Sequence, residues 1–443
     1  MLASGASVPA KAVPGHGHTA AGHTAAGHDV SGHGASGHDV SGHGASRPDV
    51  LGHAVADPAA AQRAAPTSAA DAALQLQVLL GHHSVLAIEL MRGRLRGQED
   101  FAQAASAAAG KNTDAIADLV GSLFGPAAAA QFTDLWSGHL TALADYARGL
   151  STNDGAVKDS ATARLTTFER NLGAFFATAA QGRLSPQAAQ DAVLMHVDHL
   201  LRQADAYASH DYPTADRIYR QAYTHSYAMG RSLVGALVPP DQAKALDDPV
   251  WRLRSELCRL LGEHVVLVVS AARAAVLNTP DFTSAAQAVD GNTHDLTAAV
   301  DSLFGTAAAT RFQSLWGDHI DQIFSYTTGL VTGDGNRRDA AVKRLGGFES
   351  QFAAFLDGAT GGRLPSQTLA KALLMHDQNL LAQVDALWAK QYEQANDGTY
   401  ATYQHMADLA GQLAQAFGAT VASRLPVGGP HTGLGGAAGM VQG

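Results

Sequence analysis

Residues 122–140 read SLFGPAAAAQFTDLWSGHL, and residues 302–320 repeat this pattern as SLFGTAAATRFQSLWGDHI. Three further pairs of segments keep the same order at the same offset of about 180 residues: 79–87 with 260–268, 168–176 with 348–356, and 193–201 with 373–381. A fixed offset between similar segments is typical of a duplicated architecture. The sequence therefore predicts two equivalent halves, residues 71–238 and 249–424, joined by a linker at 239–248.

Each half has the pattern of an all-α fold. Apolar residues recur at three- and four-residue spacing, and good helix formers such as Ala, Leu and Gln are abundant. Helix-breaking or turn-forming residues interrupt the pattern about every 28 residues, near Gly97, Gly125, Asp154, Gly182 and Asp211, and again near Pro280, Gly305, Gly333, Gly362 and Lys390. Five interruptions predict six helices per half. The predicted fold is thus a tandem duplication of an up-and-down antiparallel helical bundle.

One level of each predicted bundle is rich in histidine. In an antiparallel hairpin, two residues equally far from the turn lie at the same height, so the turns predict which residues share a level. Four of the six helices of each half carry a histidine at this level, and the other two carry Asn and Phe (Asn112 and Phe168, or Asn292 and Phe348). The predicted metal ligands are His83, His139, His196, His225, His264, His319, His376 and His405.

Glycine and Asn-Thr occur at the same level of the second helix of each half. Gly110 or Gly291 could end one helical segment, and Asn112 or Asn292 could cap the next. The sequence therefore predicts a break in this helix beside the histidines, where a ligand could approach. A plain connection between two shorter helices is the alternative.

Imidazole clusters in bundle cores suit copper or zinc, and this is the leading functional prediction. Haem b is the first alternative, because two histidines on facing helices can ligate one iron; the absence of Cys-x-x-Cys-His makes such haem non-covalent. The second alternative is a structural repeat module, in which the histidines are only packed in the core. Di-iron chemistry is disfavoured, because the repeated acids Glu169 and Glu349 lie one position off the level. No nucleophile elbow, phosphate loop or HExxH motif indicates an enzyme, and no catalytic residue is predicted.

A second histidine population lies near the N-terminus. Residues 1–70 are rich in Gly, Ala, Ser and His, and such a composition predicts disorder, as does the Gly-rich stretch 425–443. Gly-His recurs there mostly at five-residue spacing. A flexible imidazole array could capture metal ions loosely, with an incidental repeat as the alternative. The predicted capture residues are His16, His18, His23, His28, His33, His38, His43 and His53.

Composition excludes several classes of function. The net charge of −10 is spread along the chain, which argues against nucleic-acid binding. The single cysteine, Cys258, rules out a disulfide framework and a cysteine-rich metal site. No segment is apolar for long enough to cross a bilayer, and the N-terminal residues lack the apolar core of a signal peptide.

The combination of Glu/His-His, Leu-Trp-x-x-His, Met-His and Tyr-x-His over residues 73–423 resembles exported helical-repeat proteins of Gram-positive bacteria. Some of those proteins carry copper-related descriptions. The resemblance implies no particular activity. It implies an extracytoplasmic location, with a leader absent from this numbering, and the cytoplasm is the alternative.

Overall fold

A computed structural model describes residues 66–424, and helices form nearly all of this part of the chain. The thirteen α-helices of this part are α1 Ala69–Leu95, α2 Glu99–Phe124, α3 Pro126–Ser151, α4 Gly155–Ala179, α5 Pro186–Ala208, α6 Tyr212–Leu237, α7 Pro240–Ala243, α8 Pro249–Val276, α9 Phe282–Phe304, α10 Thr306–Thr332, α11 Gly335–Thr360, α12 Ser366–Trp388 and α13 Tyr392–Arg424. The predicted all-α bundle is confirmed. None of these helices is both long and apolar enough to cross a membrane.

The connections fall where the sequence predicts them, and local chemistry explains why. Ser68, Asp154, Ser185, Asp211 and Asp334 each occupy an N-cap, and each side chain accepts a hydrogen bond from a backbone N–H of the first turn. Glycine ends α2 and α9 at Gly125 and Gly305, whose φ angles of 90° and 84° are unfavourable for other residues. Short connections of this kind make consecutive long helices antiparallel neighbours.

The first long helix of each half is the central one. Helix α1 packs against α2, α3, α5 and α6, and every residue from Leu76 to Gly93 is buried. In the second half, α8 packs against α9, α10, α12 and α13. A helix that is apolar on all sides can be stable only with neighbours all round it. Each half is therefore a bundle around a central helix, and the agreement in order and packing is what a duplication would produce; the duplication itself stays a prediction.

The two halves pack together as parts of one compact unit. Helix α13 contacts α2, α6 contacts α9, and the central helices α1 and α8 contact each other. Tyr223 Oη lies 2.7 Å from Tyr403 Oη, and Tyr227 Oη lies 3.0 Å from the same oxygen. The predicted linker contains α7 and a 3-10 helix, Lys244–Asp247, in which Leu246 is buried against the core. These contacts join the halves directly as well as through the linker.

The predicted break in the second helix of each half is wrong. Helices α2 and α9 run without interruption through Gly110 and Gly291. The amide of Asn112 does not cap a new segment; its Nδ2 donates to Leu79 O of the neighbouring helix at 3.1 Å. Asn292 makes the equivalent bond to Leu260 O at 3.0 Å. These asparagines instead tie their helices to α1 and α8.

Candidate metal centres

Three histidines converge in the interior of the first half. His83 of α1, His139 of α3 and His196 of α5 each offer a ligand nitrogen, and these nitrogens all lie within 4.8 Å of one another. The side chains are at most 1% exposed. The ring centroids are 5.0 to 6.2 Å apart. This cluster, the first triad, could hold a metal ion.

The second half contains the same arrangement. His264 of α8, His319 of α10 and His376 of α12 also offer three nitrogens within 4.8 Å of one another. Each residue is at most 1% exposed, and each pair of ring centroids is 5.6 Å apart. This cluster, the second triad, could likewise hold a metal ion. The two triads come from equivalent helices, so the same packing of helices positions the histidines of both.

The contributing helices are every second long helix of the chain. Alternate helices in an up-and-down bundle run in the same direction. Residues at one height on α1, α3 and α5 therefore occupy similar positions along three parallel helices. These three helices also contact one another in pairs, as do α8, α10 and α12. The turns therefore predict correctly that these histidines lie at similar heights. At that height three imidazoles point inward and approach one another.

The fourth predicted ligand of each half does not join its triad. His225 is only partly buried, and its Nε2 lies 3.1 Å from Ala192 O; His405 lies 3.0 Å from Ala372 O in the same way. Neither residue belongs to a group of three close ligand atoms in residues 66–424. Height on a helix does not determine the direction of the side chain around the helix axis. The structure therefore assembles two sets of three histidines instead of the predicted two sets of four.

Hydrogen bonds restrain two rings of the first triad. Trp136 Nε1 donates to His83 Nδ1 at 3.3 Å, and His83 Nε2 lies 3.1 Å from His139 Nε2. His139 Nδ1 contacts Trp136 O, an acceptor, so this nitrogen carries the proton. Both ring nitrogens of His196 are buried without a hydrogen-bond partner. In the first triad, the ring nitrogens of His83 and His139 thus have hydrogen-bond partners and those of His196 do not.

The second triad has fewer such partners. Both ring nitrogens of His264 and of His376 are buried without a hydrogen bond, and so is Trp316 Nε1. His319 Nδ1 lies 3.2 Å from Asp377 Oδ1 without forming a hydrogen bond to it, and both ring nitrogens of His319 are also without a partner. A buried polar atom without a partner costs about 1–3 kcal/mol, so several together are unusual in a well-packed core. A bound cation would satisfy one nitrogen of each ring.

An acidic side chain distinguishes the second triad from the first. Asp377 is 2% exposed and follows His376 on α12, and the equivalent residue in the first half is Val197. Burial and the charge of Asp377 raise the pKa of the nearby Glu349 to about 7. A carboxylate this close to a ligating histidine adds negative charge beside a bound cation. The two centres therefore differ in charge although their histidines match.

Burial keeps these imidazoles neutral. It lowers the pKa of His139 to about 3. Burial and neighbouring histidines also lower the pKa values of His83, His196, His264 and His376 well below the usual value. Neutral imidazole is the form that binds a metal ion. All three imidazoles of the first triad, and His264 and His376 of the second, can therefore accept a cation at neutral pH without first losing protons.

Aromatic rings enclose each triad. Phe168 stacks on His139 with ring centroids 4.3 Å apart, and Phe348 stacks on His319 at 4.5 Å. The apolar cavities next to the triads have volumes of only about 20 and 40 Å³. Haem is far larger than these spaces, and ring nitrogens 3.1 Å apart leave no room for a macrocycle between them. The first triad therefore leaves no space for haem between its rings, and the three close imidazoles of each half could hold a single ion.

Sequence reasoning did not identify three residues of interest. His82 is buried without a hydrogen-bond partner and stacks on Tyr400 at 5.0 Å. His199 lies 5.5 Å from His225 between ring centroids. Asp377 contacts a triad histidine. The three share one signal: the halves differ at each of these positions, with Glu263, Asn379 and Val197 as the counterparts. Agreement between the halves was the signal that predicted the ligands, and these three positions lack it.

The predicted capture residues of the N-terminal region, from His16 to His53, lie outside the described residues.

Comparison of the chain with models of protein families, with curated proteins and with solved structures found no match. The function must therefore be argued from the centres themselves.

Proposed function

We propose that this chain binds and handles a transition metal, copper or zinc, with one tri-histidine site in each half. The observation that carries the proposal is the convergence of three buried imidazoles from alternate helices, twice in one chain. Imidazole is a ligand suited to both metals, and three protein ligands leave a further coordination position open. In this proposal the histidines before residue 66 collect ions and the triads hold them.

Metal loading tests the proposal directly. The tail histidines would obscure the count, so the parent for this experiment is the full-length chain with the eight histidines before residue 66 replaced by serine, here called the tail-Ser variant. It is loaded with Zn²⁺, or anaerobically with Cu⁺, and freed of excess metal before elemental analysis. We expect His196→Gln to remove the ion of the first triad and His376→Gln to remove the ion of the second.

Thermal stability gives an independent readout. An ion that binds only the folded state stabilises it, by about 2.7 kcal/mol when the free ion is at a hundred times its Kd. The melting temperature of the tail-Ser variant should therefore rise with metal and fall again with a chelator. Equal metal content and equal melting temperatures in the parent and both substituted chains, with native circular dichroism, would refute the proposal.

A purely structural role for the histidines is the second candidate, and one observation favours it. In the first triad, the contacts of Trp136, His83 and His139 form a hydrogen-bonded group that needs no ion. This candidate predicts that metals and chelators leave the melting temperature unchanged. The second triad discriminates best, because both nitrogens of His264 and of His376 are without partners there.

The cellular location follows from the resemblance alone. We propose an extracytoplasmic protein, in which metal binding would occur outside the cytoplasm. Fractionation of the source cells, with the chain detected by an antibody, would test this.

A further inference from the structure

A large cleft lies between the two halves, beside the first triad. Helices α5 and α6 form one wall and α8 and α9 form the other, and the cavity has a volume of about 1020 Å³. Met195, His199 and His225 all line it. His196, a ligand of the first triad, is the residue after Met195 on the same helix. The cleft therefore brings a second set of metal-binding side chains close to a buried centre.

The two histidines of the cleft are placed to share one ion. Their ring centroids are 5.5 Å apart, within the range found inside the buried triads. Nδ1 of His199 is enclosed and has no hydrogen-bond partner. His225 donates from Nε2 to Ala192 O, because a carbonyl can only accept, so Nδ1 of His225 keeps its lone pair. One nitrogen of each ring is therefore available as a ligand.

Met195 adds a sulfur ligand to the same wall. It precedes His199 by four residues on α5, and residues at this spacing lie one above the other on the same helix face. Met195 is 49% exposed and lines the cleft, so ions in solution can reach its side chain. Thioether sulfur is a soft ligand that favours copper(I) over zinc, calcium or magnesium. A thioether beside two imidazoles is therefore a ligand set that suits copper(I).

The charges around the cleft are consistent with a monovalent ion. Its lining includes three arginines and three acidic residues, and Arg220 and Arg259 are already paired with acids. The balance leaves no excess negative charge of the kind that holds a hard divalent cation. We propose that Met195, His199 and His225 form a solvent-accessible copper(I) site in this cleft. The site does not depend on the triads, and it gives His225 a ligand role different from the predicted one.

The second half supplies an internal comparison. Met375 and His405 occupy the positions of Met195 and His225, but Asn379 replaces His199. Asparagine at this position is therefore compatible with the fold of an equivalent helix. His199→Asn is accordingly the conservative substitution with which to remove the proposed site. His294→Asn serves as a control, because His294 is exposed and lies outside the cleft lining.

The test is an anaerobic titration of the tail-Ser variant with Cu⁺ against a chromophoric copper(I) chelator. We expect His199→Asn to lower the bound copper by one ion per chain and His294→Asn to leave it unchanged. X-ray absorption of the copper-loaded parent should show a sulfur neighbour that Met195→Leu removes. Equal copper content in the parent and His199→Asn, or a copper spectrum that Met195→Leu does not alter, would overturn the proposal.

The same titration separates this site from the triads. His196→Gln and His376→Gln together remove the ions of the triads and leave the cleft residues in place. If copper is still lost with His199→Asn in that background, the cleft site exists whatever the outcome for the triads. If copper responds to the triad substitutions only, the triads stand and the cleft site is refuted.

Discussion

His319 Nδ1 lies 3.2 Å from Asp377 Oδ1, and the first half has no equivalent contact because Val197 occupies the position of Asp377. The histidine ligands of the two proposed centres are the same, so the carboxylate is the principal chemical difference between them. The two atoms are close without forming a hydrogen bond, so the carboxylate would act on a bound ion mainly through the negative charge that it adds nearby. The second triad should therefore hold a divalent ion more tightly than the first.

Removal of this carboxylate tests the difference. We expect Asp377→Val to weaken Zn²⁺ binding at the second triad by about 10- to 100-fold, the usual effect of losing such a partner. The measurement is a competition titration with a chromophoric chelator in the tail-Ser chain carrying His196→Gln, which leaves only the second triad. Asp377→Asn keeps the shape of the side chain but removes its charge. It therefore distinguishes an effect of the charge from an effect of altered packing. A change smaller than twofold in both variants would contradict the assignment.

The hydrogen bond from Trp136 to His83 should oppose metal binding at the first triad. If an ion uses Nδ1 of His83, it displaces this bond; if it uses Nε2, the proton must move to Nδ1, which can then no longer accept. A hydrogen bond contributes about 0.5–1.5 kcal/mol net, so Trp136→Phe should tighten metal binding by about 2- to 12-fold. The affinity is measured in the tail-Ser chain carrying His376→Gln.

Trp316→Phe is the matched control for that substitution. Trp316 Nε1 has no hydrogen-bond partner, so its removal releases nothing that competes with the ion. We expect no increase in affinity at the second triad. An equal gain from both tryptophan substitutions would show that ring size, and not the hydrogen bond, controls the affinity.

Acid should destabilise the metal-free protein. The pKa of His139 in the folded state is about 3, well below the usual value of about 6.5 in an unfolded chain. Between these values the unfolded state binds more protons, so the free energy of unfolding falls as pH decreases through 6.5. Each such histidine contributes a slope of about 1.4 kcal/mol per pH unit within this range. The lowered pKa values of His83, His196, His264 and His376 add to the effect of His139.

Denaturant unfolding at several pH values between 7.5 and 5.5 measures this slope. His139→Gln should reduce the pH dependence by about half a proton at pH 6.5 and by nearly one proton at pH 5.5, because one buried imidazole has been replaced by a group that does not titrate. His210→Gln is the control, because His210 is exposed and packs against no triad residue. An unchanged pH dependence in His139→Gln would show that this imidazole does not resist protonation.

Close packing around the central helices α1 and α8 predicts two intolerant glycines. A Cβ on Gly81 would lie 2.5 Å from the ring of Tyr227, and one on Gly262 would lie 2.5 Å from the ring of Tyr403. Both rings are buried and cannot move freely. We expect Gly81→Ala or Gly262→Ala to lower the free energy of unfolding by about 1–3 kcal/mol. Chemical denaturation of the full chain measures the effect.

Gly110→Ala provides the opposite expectation. Gly110 lies in the middle of α2, and a Cβ there would contact nothing within 4 Å. Alanine in an exposed helix interior is more favourable than glycine by about 0.5–1 kcal/mol. The variant should therefore be slightly more stable than the parent. Destabilisation by all three alanines would contradict this account of the packing around α1 and α8.

Much of the fold could be predicted from the sequence because its signals are local. Helix formers, apolar periodicity and breakers such as Gly125 and Asp154 act within a few residues, so they place the ends of the helices closely. The turns then determine which residues share a height. This was enough to identify His83, His139 and His196, and their equivalents, as candidates for a common site.

Rotation about the helix axes could not be predicted in the same way. His225 shares the height of the triad, yet α6 directs it towards the cleft and the carbonyl of Ala192. Asp377 follows a ligand in sequence but contacts a histidine of a different helix. Both facts depend on which sides of the helices face one another. That choice is made by packing of the whole unit, to which distant side chains contribute.

The sequence alone determined the helices, their order and the level at which histidines gather, because hydrogen bonding within helices and turn formation are short-range. Only the tertiary structure decided that three imidazoles meet where four share a height, that a carboxylate accompanies one centre, and that the halves enclose a cleft. Those outcomes follow from the close packing of side chains between helices, in which each rotation is settled by many neighbours at once.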